Sequence, residues 1–320
     1  MKLTEVQHEL IFEKDKYFDS CHASTILKFK GKLYCAWFAG SREGKDDVRI
    51  YLSVNENGKW GEPKQMAFTD DIPCWNPVLF EFENKMYLYY KVGKKIREWQ
   101  TYFRMSEDGI NWTEEKELVK GDISDGRGPV KNKPILMSDG TIAAPASVET
   151  KTTWDAFVDF SADGVNWEKS EFMPFNHKKA QGKGIIQPTL WEADGRLYAL
   201  LRSTESRILK SVTSDRKTWS ECEATPLPNN NSGIDCVKLP DGSVVVIFNP
   251  VANDWGDRNI IAYAITNDNA ETFSEPVIVE KDDDTDAEFS YPAIITDGEY
   301  VYVTYTHYRK QVMFRKYKID

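Results

Sequence analysis

The chain has 320 residues, 41% hydrophobic and 29% charged, with a net charge of −10, so it can bury a large core and offers no basic footprint for nucleic acid or an anionic membrane. No apolar run approaches a membrane span, and MKLTEVQHELIFEKDK lacks the apolar stretch of a signal peptide, so a cytoplasmic protein is expected. Cys21, Cys35, Cys74, Cys222 and Cys236 are odd in number and scattered, which reads as reduced thiols rather than a disulfide framework or a zinc site.

In chain order, Leu10-Ile11-Phe12 reads as a strand without a hairpin partner of its own. Thr25 to Phe38 (TILKFKGKLYCAWF) then opens a recurring pattern of apolar strand, Gly or Asn turn, and second apolar strand. It returns at Pro77 to Tyr90, Pro134 to Pro145, Pro188 to Leu201, Val237 to Phe248 and Pro292 to Tyr305. No helical segment of any length competes.

After each of the first five hairpins comes a third strand and a turn of one kind. Ser106 to Trp112 (SEDGINW) and Ser161 to Trp167 (SADGVNW) are nearly identical. Thr213 to Trp219 (TSDRKTW) and Thr266 to Phe273 (TNDNAETF) repeat them loosely, and Ser53 to Trp60 (SVNENGKW) is a degraded first copy. In this turn a hydroxyl ends a strand, an Asp accepts from the turn's own amides, a Gly takes a positive φ, and an aromatic ring folds back. The closing aromatics are 52, 55, 52 and 54 residues apart, the signature of one repeated unit, and a chain of this length holds about six. Gln311 to Ile319 (QVMFRKYKI) is a last strand with no such turn. Pairing it with the N-terminal strand would complete one blade and hide two edges. The expectation is a single all-β domain over 1–320, a six-bladed β-propeller of four-stranded antiparallel blades closed by the N- and C-terminal strands.

In a propeller the residues that open the first strand of each blade converge. Within a residue or two these are His22, Asn76, Lys133, Gln187, Asp235 and Tyr291, and all six are polar. A second set, where the second strand ends, is Arg42, Lys91, Ser147, Arg202, Asn249 and His307. Together they describe a hydrogen-bonding, partly cationic pocket suited to a polar, anionic small ligand. No metal or cofactor is expected: His8, His22, His177 and His307 show no ligand spacing, and Asp282 to Asp286 (DDDTD) reads as a solvated loop.

The repeated turn resembles the Asp-box, although its two best copies are one residue short between Asp and Trp. With the segments CHAST (Cys21 to Thr25), CWNPVL (Cys74 to Leu79), GPVKNKP (Gly128 to Pro134), NNNSGID (Asn229 to Asp235) and EFSYP (Glu288 to Pro292), the chain resembles the BNR-repeat-like branch of the sialidase (neuraminidase) superfamily. That resemblance implies an exo-acting glycosidase that releases a terminal acidic sugar. It places an Arg and the acid/base Asp of the first blade on Arg42 and on Asp47 or its neighbour Asp46. It places two carboxylate-binding arginines on Arg202 and Arg258, and the nucleophilic tyrosine on Tyr291. Two departures stand out. His22-Ala23-Ser24 replaces Arg-Ile-Pro, so one arm of the arginine triad is a His. The carboxylate that activates the Tyr is replaced near Gln187, leaving Glu288, Asp235 or Glu43 to substitute.

Two guanidiniums bind a carboxylate in a fixed plane, and a neutral Tyr avoids the repulsion that a carboxylate nucleophile would meet there. The expected roles follow. Asp47 protonates the leaving oxygen, Tyr291 attacks the anomeric carbon, and His22 and Glu288 assist, while Arg42, Glu43, Asn76, Lys91, Lys133, Gln187, Arg202, Asp235 and Arg258 bind a small, carboxylated carbohydrate. Two other classes stay open. One is a uronate lyase, with His22 and Tyr291 as proton-transfer groups, or a rhamnosidase-like enzyme on the same scaffold. The other is a carbohydrate-binding propeller without catalysis.

Overall fold

The computed structural model describes residues 2–67, 69–124 and 126–320. Among them the architecture is all-β, a six-bladed propeller of antiparallel blades, with one helical turn at Ile96–Glu98. None of the helices among the described residues is long and apolar enough to cross a membrane.

The chain divides into two compact units of three blades each. One comprises Met1–Asp125 with Tyr291–Asp320, and the other Gly126–Ser290. In the first unit, strands Ser20–Phe29, Lys32–Gly40, Arg49–Glu56 and Lys59–Trp60 make the first blade, with Lys64–Gln65 also pairing the third strand. Cys74–Phe82, Lys85–Val92, Gln100–Ser106 and Lys116–Glu117 make the second. The sixth blade draws on both ends of the sequence, in the order Leu3–Leu10, Gln311–Ile319, Tyr300–His307, Phe289–Thr296. The terminal strands therefore pair as the sequence implies, but the N-terminal one ends at Leu10. Ile11 and Phe12 lie beyond it and are buried, with the Phe12 ring stacked 4.9 Å from Trp37. They fill the core of this unit instead of extending its edge.

The second unit holds the third blade (Ile135–Leu136, Ile142–Glu149, Trp154–Ser161, Glu168–Lys169), the fourth (Ile185–Ala193, Arg196–Ser203, Arg207–Thr213, Glu223–Pro228) and the fifth (Asp235–Lys238, Val244–Phe248, Ile260–Thr266, Val277–Lys281). Its cores lie between adjacent blades, where Leu197, Leu201 and Trp219 pack with Val158 and Met173, and Trp191 and Leu200 with Val246 and Phe248.

The repeated turn works as its chemistry implies. Asp108 Oδ1 accepts from the amides of Ile110 (2.8 Å) and Asn111 (2.7 Å), and Asp163 does the same with Val165 and Asn166 (2.8 Å each). Those amide hydrogen bonds hold both carboxyls well below the usual range. At Ser53 to Trp60 a two-residue Asn57-Gly58 loop does the turning, with φ 53° and 81°, between the pairs Asn55↔Trp60 and Glu56↔Lys59.

One further repeat is a feature of the backbone. In the first strands of blades one, two and four the ladder skips a residue: His22 to Thr25, Trp75 to Val78 and Ile186 to Thr189 each carry two residues opposite one. Each bulge contains a left-handed residue, Ala23 (φ 56°), Asn76 (φ 40°) or Gln187 (φ 53°). Tyr291 (φ 52°) takes that conformation in blade six, and Lys131 (φ 67°) and Asn231 (φ 55°) take it on the segments leading into Ile135 and Asp235. Six non-glycine residues at matching positions carry the same strain, a cost of order 1 kcal/mol each that clusters at functional positions.

Candidate functional site

In the Gly126–Ser290 unit the polar residues gather around Arg202. It sits near the end of the second strand of blade four, opposite Ile186 and just before that blade's bulge, and is only 3% exposed. Its Nε donates to Asn231 Oδ1 at 2.7 Å and its Nη1 to Gln187 Oε1 at 3.2 Å. Both acceptors are left-handed residues, so the strained backbone of two blades orients one guanidinium. The indole rings of Trp154 and Trp255 lie 5.6 and 5.8 Å from its Cζ and meet edge to face at 6.2 Å. Trp255 is 63% exposed with φ 56°, and Asn229 to Ser232 behind Arg202 are fully buried. Two hydrogen bonds and two aromatic rings thus fix the plane of a buried guanidinium, the group that binds a carboxylate in a set orientation.

The same unit holds pairs that the sequence names separately. Lys133 Nζ donates to both oxygens of Asp235 at 3.0 and 2.9 Å, and Thr189 Oγ1 donates to Asp235 at 2.7 Å. Arg258 Nη1 donates to Glu288 Oε1 at 3.0 Å, and Ser290 Oγ donates to the same oxygen at 2.5 Å. Each pair satisfies its own charge. Lys131 is buried, with Nζ donating to the Ile234 carbonyl at 2.5 Å and to Asn132 Oδ1 at 2.8 Å. Burial, which Asp235 opposes and the cations of Lys133 and Arg202 reinforce, brings its ammonium down to about 7. Ser147 and Asn249 are buried as well, and Asn249 Nδ2 donates to the carbonyls of Ile260 and Phe289 at 2.7 Å each.

The other unit brings His22 against Tyr291. Their ring centroids are 4.1 Å apart at 49°, and His22 Nδ1 shares a 2.8 Å hydrogen bond with Thr306 Oγ1, which also accepts from the Ala23 amide at 3.2 Å. Both oxygens of Asp47 are fixed by Ser41, one by its amide at 2.8 Å and the other by its hydroxyl at 2.9 Å, on an exposed loop that also carries Arg42. Asp46 instead pairs with Lys94 at 3.2 Å, and Glu43 pairs with Arg309. Asn76 is buried. Lys91 is closed off from solvent and donates to Thr101 Oγ1 at 2.6 Å. His307, half buried, lies edge to face with Tyr308.

Trp154, Trp255, Asn231 and Lys131 are site residues that sequence reasoning does not reach. Asn231 lies in the NNNSGID segment, the one signal that marks it. Trp154 opens a strand and Trp255 sits in a loop, where no periodicity points to a partner.

A family model described as a BNR repeat-like domain matches residues 31–303. No curated protein matches the sequence. Among solved structures, a protein of unknown function from Dyadobacter fermentans is similar at TM-score 0.80 and 15% identity, over 99% of both chains. Trypanosoma rangeli sialidase in complex with the inhibitor DANA is similar at TM-score 0.72 and 15% identity, over 97% of this chain and 59% of that one. The NanB sialidase of Streptococcus pneumoniae is similar at TM-score 0.71 and 13% identity, over 97% of this chain and 70% of that one. At these identities the structural likeness speaks for the fold.

Proposed function

Because the chain belongs to the BNR repeat-like family, we propose that it is an exo-acting glycoside hydrolase releasing a terminal acidic sugar, sialic acid or a related carboxylated sugar, from oligosaccharides. The observation that carries this reading is the buried Arg202 guanidinium, oriented by Asn231 and Gln187 and framed by two tryptophans. In this reading Arg202 takes the sugar's carboxylate, with Arg258, anchored by Glu288, as the second guanidinium. Asp47, already oriented by Ser41, protonates the leaving oxygen as the glycosidic bond breaks, while Tyr291 attacks the anomeric carbon and gives its phenolic proton to His22. Water, deprotonated by Asp47, then displaces the tyrosine, which takes its proton back as the free sugar leaves. His22 packs on the Tyr291 ring and steadies it. Lys133, Asp235, Asn76 and Gln187 are the further ligand-binding residues of this reading.

The test is release of free acidic sugar from terminal sialosides and uronosides. Asp47→Ala and Tyr291→Phe are each expected to lower the turnover of an active substrate by about 10²–10⁴-fold. Arg202→Ala is expected to cost about 2–5 kcal/mol, some 30- to 5,000-fold in kcat/KM. Turnover that survives Tyr291→Phe and Arg202→Ala unchanged removes the proposed mechanism. A second reading has its own support in the contact of His22 with Tyr291, which would suit abstraction of a proton beside a uronate carboxylate. In that case incubation with uronate-capped oligosaccharides raises ultraviolet absorbance as an unsaturated product forms, and hydrolysis gives no such rise.

A further inference from the structure

The loop that carries Asp47 joins the second and third strands of blade one, and from Ser41 to Asp47 every residue is exposed. Burial therefore contributes little to its shape, yet a proton donor has to be placed closely, since a misplacement of about 1 Å can cost about 10²-fold in rate. The main chain supplies the constraint. Arg49, half-buried and paired with Ala39 at the neck of the loop, turns one guanidinium nitrogen onto carbonyls. Its Nη1 donates to Asp46 O at 2.7 Å and to Val48 O at 2.9 Å, the carbonyls of the two residues that flank Asp47. A longer bond of 3.3 Å reaches Ile72 O, on the segment that leads into blade two. Val48 is tied further, its carbonyl accepting from the Cys74 amide at 3.1 Å and its amide donating to Lys45 O at 3.0 Å. Gly40 closes the neck from the facing strand, where a Cβ would lie 3.0 Å from Val48 Cα and 3.1 Å from Asp47 O. With both neighbours held by a charged donor, stronger than a neutral one, the backbone of Asp47 is set, and Ser41 aims its carboxyl.

We propose that Arg49 is the positioning residue of Asp47, setting the acid at the leaving oxygen through the carbonyls on either side of it and tying it to the entry of blade two. This inference rests on the reading of Asp47 as the proton donor. Arg49 reaches the reaction only through the main chain. Its replacement leaves the carboxyl in the molecule but out of place, and so slows the one bond-breaking step that needs the proton. A lysine would keep the charge but lose the planar fork that holds several acceptors at once.

The experiment compares kcat/KM on para-nitrophenyl glycosides, whose leaving group departs without a proton, with kcat/KM on disaccharides, whose leaving oxygen needs one. Both kinds are offered with N-acetylneuraminic acid and with glucuronic acid as the terminal sugar, well below the Tm measured for each variant. Asp47→Ala is expected to lower kcat/KM on the disaccharide by about 10²–10⁴-fold and on the nitrophenyl glycoside by less than about tenfold. Arg49→Lys and Arg49→Gln are expected to show the same split at smaller size, about 10- to 100-fold on the disaccharide and less than about threefold on the nitrophenyl glycoside. Either variant that folds decides the matter. Equal losses on both substrates, or no loss on either, while Asp47→Ala still splits them, overturn the role of Arg49 and leave the Asp47 reading standing. If Asp47→Ala does not split them, or wild type cleaves neither sugar's glycosides, the Asp47 reading falls and the proposal with it.

Discussion

The six left-handed residues decide which side chains the blades present. A period-two reading of each hairpin leads to His22, Lys133 and Asp235, whereas the strained residues of those blades are Ala23, Lys131 and Asn231. A bulge inserts an extra residue, and the third and fifth blades open with a short irregular segment, so counting by alternation loses the register there. In blades two, four and six the strained residue is followed by Pro77, Pro188 or Pro292, and Asn76, Gln187 and Tyr291 are legible for that reason. The Arg202 environment was legible only in part. The arginine ends a clear strand, but Trp154 at the start of a strand and Trp255 in a loop approach it with no local pattern. Lys131 provides a check on this environment. A lysine 13Cε resonance is expected to titrate near pH 7 and to disappear in Lys131→Arg. A spectrum with no lysine resonance titrating near pH 7 would place Lys131 in water.

At the scale of single elements, the Asp-box turns connect local chemistry to stability. Asp108, Asp163 and Asp215 are held below the usual carboxylate range, chiefly by backbone amides in the first two and by the Thr218 hydroxyl and amide in the third. Their folded pKa values lie below the unfolded ones. The stability they give is therefore present above the ordinary carboxylate pKa and is lost as pH falls through the depressed values. Asp108→Asn with Asp163→Asn is expected to lower Tm at neutral pH, and the gap to wild type is expected to narrow below about pH 4. A constant gap would mean that the charge is irrelevant. Gly109 gives a sharper test, because a Cβ there would lie 2.1 Å from Tyr34 Oη at a φ of 76°. Gly109→Ala is expected to destabilise by about 1–3 kcal/mol in urea unfolding, through overpacking and strain together. These hairpins were the most legible part of the chain, since each motif carries its own donors and acceptors. The copy at Ser53 to Trp60 differs because Asn57-Gly58 closes a tight loop without an aspartate.

For the whole molecule, the sixth blade joins sequence positions more than 300 residues apart, as the Glu5–Arg315 ion pair illustrates. Such pairing forms late, because a long loop must close before the contact is rewarded. It was legible in the sequence because Gln311 to Ile319 lacked the turn that every complete unit carries. Removing Leu3–Leu10 would uncover the outer edge of Gln311–Ile319 along its whole ladder. The shortened chain is expected to unfold at lower temperature and to elute as soluble oligomers in size-exclusion chromatography, as unpaired edges do. A monomer of unchanged Tm would make that strand dispensable.

The bulges carry one more implication, for engineering. Since the left-handed twist resides in the main chain, nature already fits Ala, Asn, Lys, Gln and Tyr into equivalent sockets without altering the scaffold. A library confined to these positions, leaving out valine, isoleucine and threonine because branching at Cβ is poorly tolerated there, would vary selectivity while the surrounding sheets stayed intact. The blades would then serve as a reusable chassis for recognising other small polar molecules.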